Sequence, residues 1–311
     1  MINRLQGFER MDIDTGEAVI HTLRGGKGEP VLMVHGYPQT HLMWHKIAPL
    51  LAKNYTVVLT DLRGYGDSSC PEDGIEHEGY SKRKMAQDQV RVMEKLGYEQ
   101  FYLVGHDRGA RVCHQLLLDY PEKAKRAVIL DIIPTLDMYE RTDMEFAATY
   151  YHWFFLIQQG NLPEKLIAGS PSDFVRSFLT KLGDGGSDAF PQDVLDTYVE
   201  KFSNAQVIHA TCEDYRAGAG IDLLHLKEAQ NRMIECPILV LWGSKWLRKN
   251  DILRIWRARA RHVSGFAVHN CGHFIAEEAP EITLNAIQKF FSVQEPVIDE
   301  KSLEKARKFI L

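Results

Sequence analysis

The chain has 311 residues, 45% of them hydrophobic and 25% charged, a composition that supports a globular fold with a substantial core. A formal net charge of -5 without a long basic run excludes the electrostatic footprint of a nucleic-acid binder. No apolar stretch has the length of a secretory leader or reaches the ~18 residues of a membrane span, so no membrane association and a cytoplasmic location are expected. Cys70, Cys113, Cys212, Cys236 and Cys271 are scattered without C-x-x-C spacing and read as reduced thiols, most of them packing residues.

In chain order, "EPVLMVHG" (29–36) is an apolar run closed by a His-Gly turn, and "YTVVLTDLRGYGDS" (55–68) is a second run closed by a Gly-rich loop. Short continuous apolar runs are the pattern of parallel strands buried on both faces. Between them, Leu42, Trp44, Ile47, Leu50 and Leu51 recur at helical spacing. A helix over 81–97, a strand over 101–106, a helix and a strand over 126–132 follow. This alternation predicts an α/β fold with a mostly parallel central sheet flanked by helices.

From Pro134 to about Gly220 the pattern becomes helical and aromatic, with no convincing buried strand. The α/β pattern returns in "CPILVLWGS" (236–244), "RHVSGFAVHNCGHF" (261–274) and a helix over 279–293. The chain therefore divides into a first core part (1–134), a helical cap insertion (135–220) and a second core part (221–311). Its last stretch, 294–311, could form an amphipathic helix. There are no internal repeats.

"LVGHDRGARVCHQ" (103–115) reads as a strand end, a sharp turn and a helix start. Small residues two places either side of Asp107 give the spacing of a nucleophile elbow. Serine is the usual occupant and must lose a proton to attack a carbonyl. An aspartate is already ionised at neutral pH and can displace a leaving group from saturated carbon. The product is an ester, whose hydrolysis needs a general base. His273 in "NCGHF" is the candidate.

The elements "VHGYP", "DLRGYGDS", "GHDRG", "VILDIIPT" and "NCGHF", in this order, resemble the α/β-hydrolase superfamily over nearly the whole chain. An aspartate at the elbow is similar to epoxide hydrolases and dehalogenases. The "DRxxR" run, the "HW" pair and "DYRAG" together resemble the fluoroacetate (haloacetate) dehalogenases. That resemblance implies hydrolysis of 2-haloacetates to glycolate and halide, with no cofactor, no metal, and a homodimer. Asp107 would be the nucleophile, His273 the base and Asp131 the acid that orients it. The position that many family members use, after "ILVLWGS", falls on Trp246, which is no carboxylate; the nearest one downstream, Asp251, is the alternative acid.

Arg108 and Arg111 would clamp the substrate carboxylate, since a guanidinium fork matches a carboxylate bidentately and the two lie three residues apart on a helix. His152, Trp153 and Tyr215 match the family's halide-binding positions and supply N-H and O-H donors. Backbone N-H groups at Tyr37 and Arg108 would form the oxyanion hole. Asp61, Arg63 and Asp67 read as loop braces, His35 as a buried histidine that satisfies backbone groups, and no set of residues shows metal-ligand spacing. Two other readings stay open. An epoxide hydrolase would use the same nucleophile with Tyr215 and one of Tyr150, Tyr151 or Tyr198 as proton donors, and a non-catalytic small-molecule receptor could be built on the same fold.

Overall fold

A computed structural model describes residues 4–183, 189–245 and 251–293. The anticipated helix over 294–311 and Trp246 lie outside the described residues. Eight strands form one sheet: β1 Glu9–Asp14, β2 Val19–Gly26, β3 Glu29–Val34, β4 Tyr55–Thr60, β5 Phe101–His106, β6 Ala124–Leu130, β7 Ile238–Gly243 and β8 Val263–Val268. Their spatial order is β1-β2-β4-β3-β5-β6-β7-β8. From β4 to β8 all neighbours are parallel. The apolar runs behave as their composition dictates: Val31 to Val34, Val57 to Leu59 and Ala127 to Leu130 are wholly buried, sandwiched between helices.

The N-terminal hairpin β1-β2, antiparallel to β4, is an addition to the sequence reading. Its apolar positions are few, with Ile13, Ile20 and Leu23 buried between polar residues. Such a short alternating pattern carries much less signal than the continuous runs of the inner strands.

Between β6 and β7 the named elements among the described residues are all helices, from Thr135–Glu140 to Ile221–Glu228. The last of these helices lies beyond residue 220 and packs on helices Thr135–Glu140 and Lys82–Lys95. The insertion covers the carboxyl ends of the parallel strands, where Phe178 and Phe202 meet the ring of Tyr37 edge-on at 5.1 and 5.6 Å. It is also gripped from outside. Helix Ala205–Ala219 presents His209, whose Nε2 lies 3.1 Å from both carboxylate oxygens of Asp73 and whose Nδ1 lies 3.2 Å from Glu164. One turn on, Glu213 meets His77 Nδ1 at 2.5 Å and accepts from Arg216 at 2.7 Å. Glu76 and His77 present this loop with left-handed backbone, φ 53° and 66°.

The five cysteines carry no disulfide. Among the described residues no helix is long and apolar enough to cross a membrane.

Close approach explains the glycines of the elbow. A Cβ on Gly109 would lie 2.2 Å from the His35 carbonyl oxygen and 2.5 Å from that of Val34, and one on Gly105 would lie 2.5 Å from Cys113 Sγ. The start of helix Asp107–Asp119 is thereby pressed onto the end of β3. Gly109→Ala must displace backbone, and a loss of about 1–3 kcal/mol in urea unfolding is expected. A second expectation concerns pH. Burial opposes charge on His209, but Asp73, Glu164 and Glu213 outweigh it and raise its pKa above 6.5. The stabilisation is complete below 6.5, the unfolded value, and is lost as pH rises through the folded value. Melting temperature should therefore fall as pH rises above that point, and His209→Gln should flatten the fall.

Candidate active site

Four strand ends supply the site, as expected at the carboxyl edge of a parallel sheet. β3 leads into His35, Gly36 and Tyr37, β5 into Asp107, β6 into Asp131, and the loop after β8 carries His273. Asp107 and Asp131 both occupy left-handed backbone, φ 46° and 53°, where a residue with a Cβ is uncommon. At Asp107 the turn swings the carboxylate back toward the β3 loop, so that Oδ1 accepts from the Tyr37 amide at 3.0 Å.

His273 lies between the two carboxylates. Its Nδ1 is 2.5 Å from Asp131 Oδ2 and its Nε2 is 3.6 Å from Asp107 Oδ2. Asp131 is fixed in turn by the Gly243 amide at 2.8 Å. Asp251 is elsewhere, accepting from the Arg254 amide at the start of helix Ile252–Arg257. Of the two acids considered from sequence, Asp131 is the one beside the imidazole. Burial opposes charge on His273, but the flanking carboxylates lift its pKa to about 10. Burial would also raise Asp107, yet its interactions with His273 and the charge of Arg111 hold it well below the carboxylate range. The resting pair is therefore an aspartate facing an imidazolium. Sequence reasoning missed His106, a buried neutral imidazole brought down to about 3 by burial, whose Nε2 bonds the His273 carbonyl at 2.8 Å.

The two arginines differ. Arg108 is engaged by Asp214: Nε donates to Oδ2 at 2.9 Å, and Nη2 donates to Oδ1 at 2.6 Å and to the Asp214 carbonyl at 2.7 Å. Its guanidinium carbon stands 4.2 Å from the Tyr215 ring centre. Arg111 donates through Nη1 to the Ile133 carbonyl and Thr135 hydroxyl, and stands 4.6 Å from the Trp153 ring centre. Its buried Nε has no hydrogen-bond partner, and among the described residues no carboxylate lies within 4.0 Å of it. Burial pulls Arg111 down to about 10, which leaves it charged at neutral pH. Asp214 escaped the sequence reading although it stands beside Tyr215, because neutralisation of an arginine by a distant helix leaves no mark in local spacing.

His152, Trp153 and Tyr215 come together over Asp107. The Tyr215 ring lies 5.7 Å from His152, 6.2 Å from Trp153 and 5.2 Å from Tyr37. Its hydroxyl is buried without a hydrogen-bond partner, as is that of Tyr37. Burial brings His152 down to about 3, so the ring is a neutral donor. Of the other tyrosines weighed from sequence, Tyr198 donates to Glu277 at 2.9 Å and Tyr151 is 41% exposed with Lys181 over its ring. Tyr150 and Tyr151 each lie 6.0 Å from His152 between ring centres, but Tyr150 is the one close enough to interact with Asp131, Arg111 and Asp107.

The residues read as braces act between loops. His35 accepts from the Leu62 amide at 3.0 Å and bonds the Gly36 carbonyl at 2.9 Å. Asp61 accepts from the amides of His41 and Asp67, Arg63 grips Asp88, and Asp67 pairs with Lys201. Among the described residues two groups have the donor types of a cation site, His21 with His41 and Asp61, and Asp73 with His209 and Glu213, each within 4.8 Å. Linear spacing showed neither, because their members come from separate elements. Both lie outside the Asp107 centre, and their side chains are already engaged in hydrogen bonds.

The model of the alpha/beta hydrolase fold matches residues 29–280. The chain is 41% identical to a fluoroacetate dehalogenase from Burkholderia sp over 92% of this chain and 95% of that protein. It is 33% identical to a soluble epoxide hydrolase from Corynebacterium sp. (strain C12) over 88% and 93%. A solved structure from Nostoc sp PCC 7120, described as of the alpha/beta hydrolases, superposes with a TM-score of 0.91 at 58% identity, covering 92% of this chain and 99% of that one. With Asp107, His273 and Asp131 joined at the carboxyl edge of the sheet, the chain belongs to the α/β-hydrolase fold family, in the group represented by the fluoroacetate dehalogenase.

Proposed function

We propose that the protein is a 2-haloacetate dehalogenase, with fluoroacetate among its substrates. One observation carries this reading: a buried guanidinium, Arg111, has a partnerless Nε and no carboxylate within 4.0 Å among the described residues, with the ionised Asp107 near enough to feel its charge. A buried cation without a directly bonded anion is costly, and a substrate carboxylate supplies that partner. A haloacetate held there offers its α-carbon to Asp107 at bonding range.

Asp107 Oδ2 attacks that carbon as the carbon-halogen bond breaks, and the halide leaves with the electron pair. Neutral donors on His152, Trp153 and Tyr215 stabilise the negative charge as it develops, each worth about 2.7–4 kcal/mol by analogy with an oxyanion-hole donor. Alkylation also changes His273. Its pKa is held up by two anions, and the ester removes one of them, so the imidazolium yields its proton to solvent and becomes a base. It then takes a proton from water as the hydroxide adds to the Asp107 carbonyl carbon, with the oxyanion facing the Tyr37 and Arg108 amides. Collapse expels glycolate, which receives the His273 proton. The free Asp107 carboxyl then ionises.

Epoxide hydrolysis is the second reading. It is favoured by the partnerless Tyr215 hydroxyl, by Tyr150 nearby and by the 33% identity to the Corynebacterium enzyme. Fluoroacetate and chloroacetate, followed with ion-selective electrodes beside a styrene oxide assay, separate the two. Halide release that vanishes in Asp107→Ala supports the first reading, and diol without halide replaces it. A protein that turns over neither would be a receptor.

His273→Ala should release one halide per active site and stall as an Asp107 ester visible by peptide mass spectrometry; continued release of many halides would overturn the two-step scheme. Arg111→Leu should raise KM for chloroacetate about tenfold to a hundredfold, the worth of a charged hydrogen bond of about 1.5–3 kcal/mol. An unchanged KM would remove the clamp.

A further inference from the structure

Behind Arg108 lies a wholly buried set of charges drawn from five elements. Asp214 Oδ1 accepts from Arg108 Nη2 at 2.6 Å and from Lys82 Nζ. Oδ2 accepts from Arg108 Nε at 2.9 Å and from the Tyr65 hydroxyl at 2.6 Å. Lys82 in turn lies 3.8 Å from Asp222, which also accepts from the Lys82 amide at 2.8 Å. The cations are Lys82, at the start of helix Lys82–Lys95, and Arg108, on the elbow helix. The anions are Asp214 and Asp222, on two helices of the insertion, and Tyr65 comes from the loop after β4. Charges balance within the set, so every one of these side chains is buried without leaving a net charge.

Two consequences follow for the neighbouring anion site. Arg108 contributes direction rather than net charge: three hydrogen bonds to Asp214 and the face of Tyr215 fix its plane, and Nη1 is the nitrogen left without a hydrogen bond to the described residues. Gly218, one turn beyond Asp214, leaves space for the fork, since a Cβ there would lie 3.0 Å from Arg108 Nη2. Of the two arginines, Arg111 is the one whose charge is not matched by a bonded carboxylate among the described residues.

We infer that Asp214 is a positioning residue for carboxylate binding: it aims the Arg108 guanidinium, and Tyr65 and Lys82 hold Asp214 in place. This rests on the haloacetate reading for its substrate but is tested without turnover.

Asp214→Asn distinguishes three mechanisms. Charge alone predicts tighter anion binding, because a negative group is lost. A purely structural role predicts a lower melting temperature and lower kcat with KM unchanged. Positioning predicts that KM for chloroacetate rises at least tenfold while kcat changes less than threefold. Tyr65→Phe removes one hydrogen bond from Asp214 without altering charge and is the variant to rely on if Asp214→Asn does not fold; its KM should rise about twofold to tenfold, less than the full worth of a hydrogen bond to a charged group because the loss reaches the substrate through Asp214 and Arg108. Glycolate titrated calorimetrically into the wild type and both variants should show the same losses in Kd. Unchanged or tighter glycolate binding in the folded variants, or none in the wild type, overturns the inference. Wild-type glycolate binding that weakens in the variants without any halide release upholds it and sinks the dehalogenase reading alone.

Discussion

His273 is shared by two carboxylates, and both stand on left-handed backbone at the ends of neighbouring parallel strands. The rest of the site depends on that arrangement. A left-handed residue at a strand end reverses the chain within one residue, which brings Asp107 back to the Tyr37 amide and Asp131 to the Gly243 amide. Such turns are tolerable because the surroundings leave no alternative. The elbow helix seats on the carbonyls of Val34 and His35 with nothing larger than hydrogen between them, and the His273 amide is tied to Leu182 of the insertion at 3.0 Å. Packing thus holds a charge alternation, anion, cation, anion, that isolated side chains would not keep out of water.

Against that alternation, the anion pocket is built by subtraction. Two arginines face the site, but the insertion supplies a carboxylate for one of them. Geometry is taken from both guanidinium groups and net charge from one. This also bears on the nucleophile: a surplus of positive charge would stabilise the Asp107 anion further and blunt its attack, whereas too little would let it repel the substrate.

The core was legible because buried parallel strands are written as continuous apolar runs, and the elbow because its glycines recur at a fixed spacing around Asp107. His273 could be found from its place before the last helix, and Asp131 from the end of "VILD". The hairpin β1-β2 was not legible, since its few apolar residues alternate with polar ones at the sheet edge. Asp214, Lys82 and His106 were missed for a different reason. Each acts on a partner far along the chain, over 106 residues for Asp214 to Arg108 and 167 for His106 to His273, and a buried ion pair of this kind has no local pattern. A separation of 136 residues likewise hides the pairing of His209 with Asp73 from spacing arguments.

Helix Ala205–Ala219 has two differently solvated flanks. Asp214 and Tyr215 reach the wholly buried interior, while His209 and its partner Asp73 stand 38% and 44% exposed. Dissolved ions screen the outer contacts and hardly touch the inner ones. Ionic strength therefore acts as a selective handle on this helix: it slackens the grip between the insertion and the 73–77 loop while the charges around the substrate keep their balance.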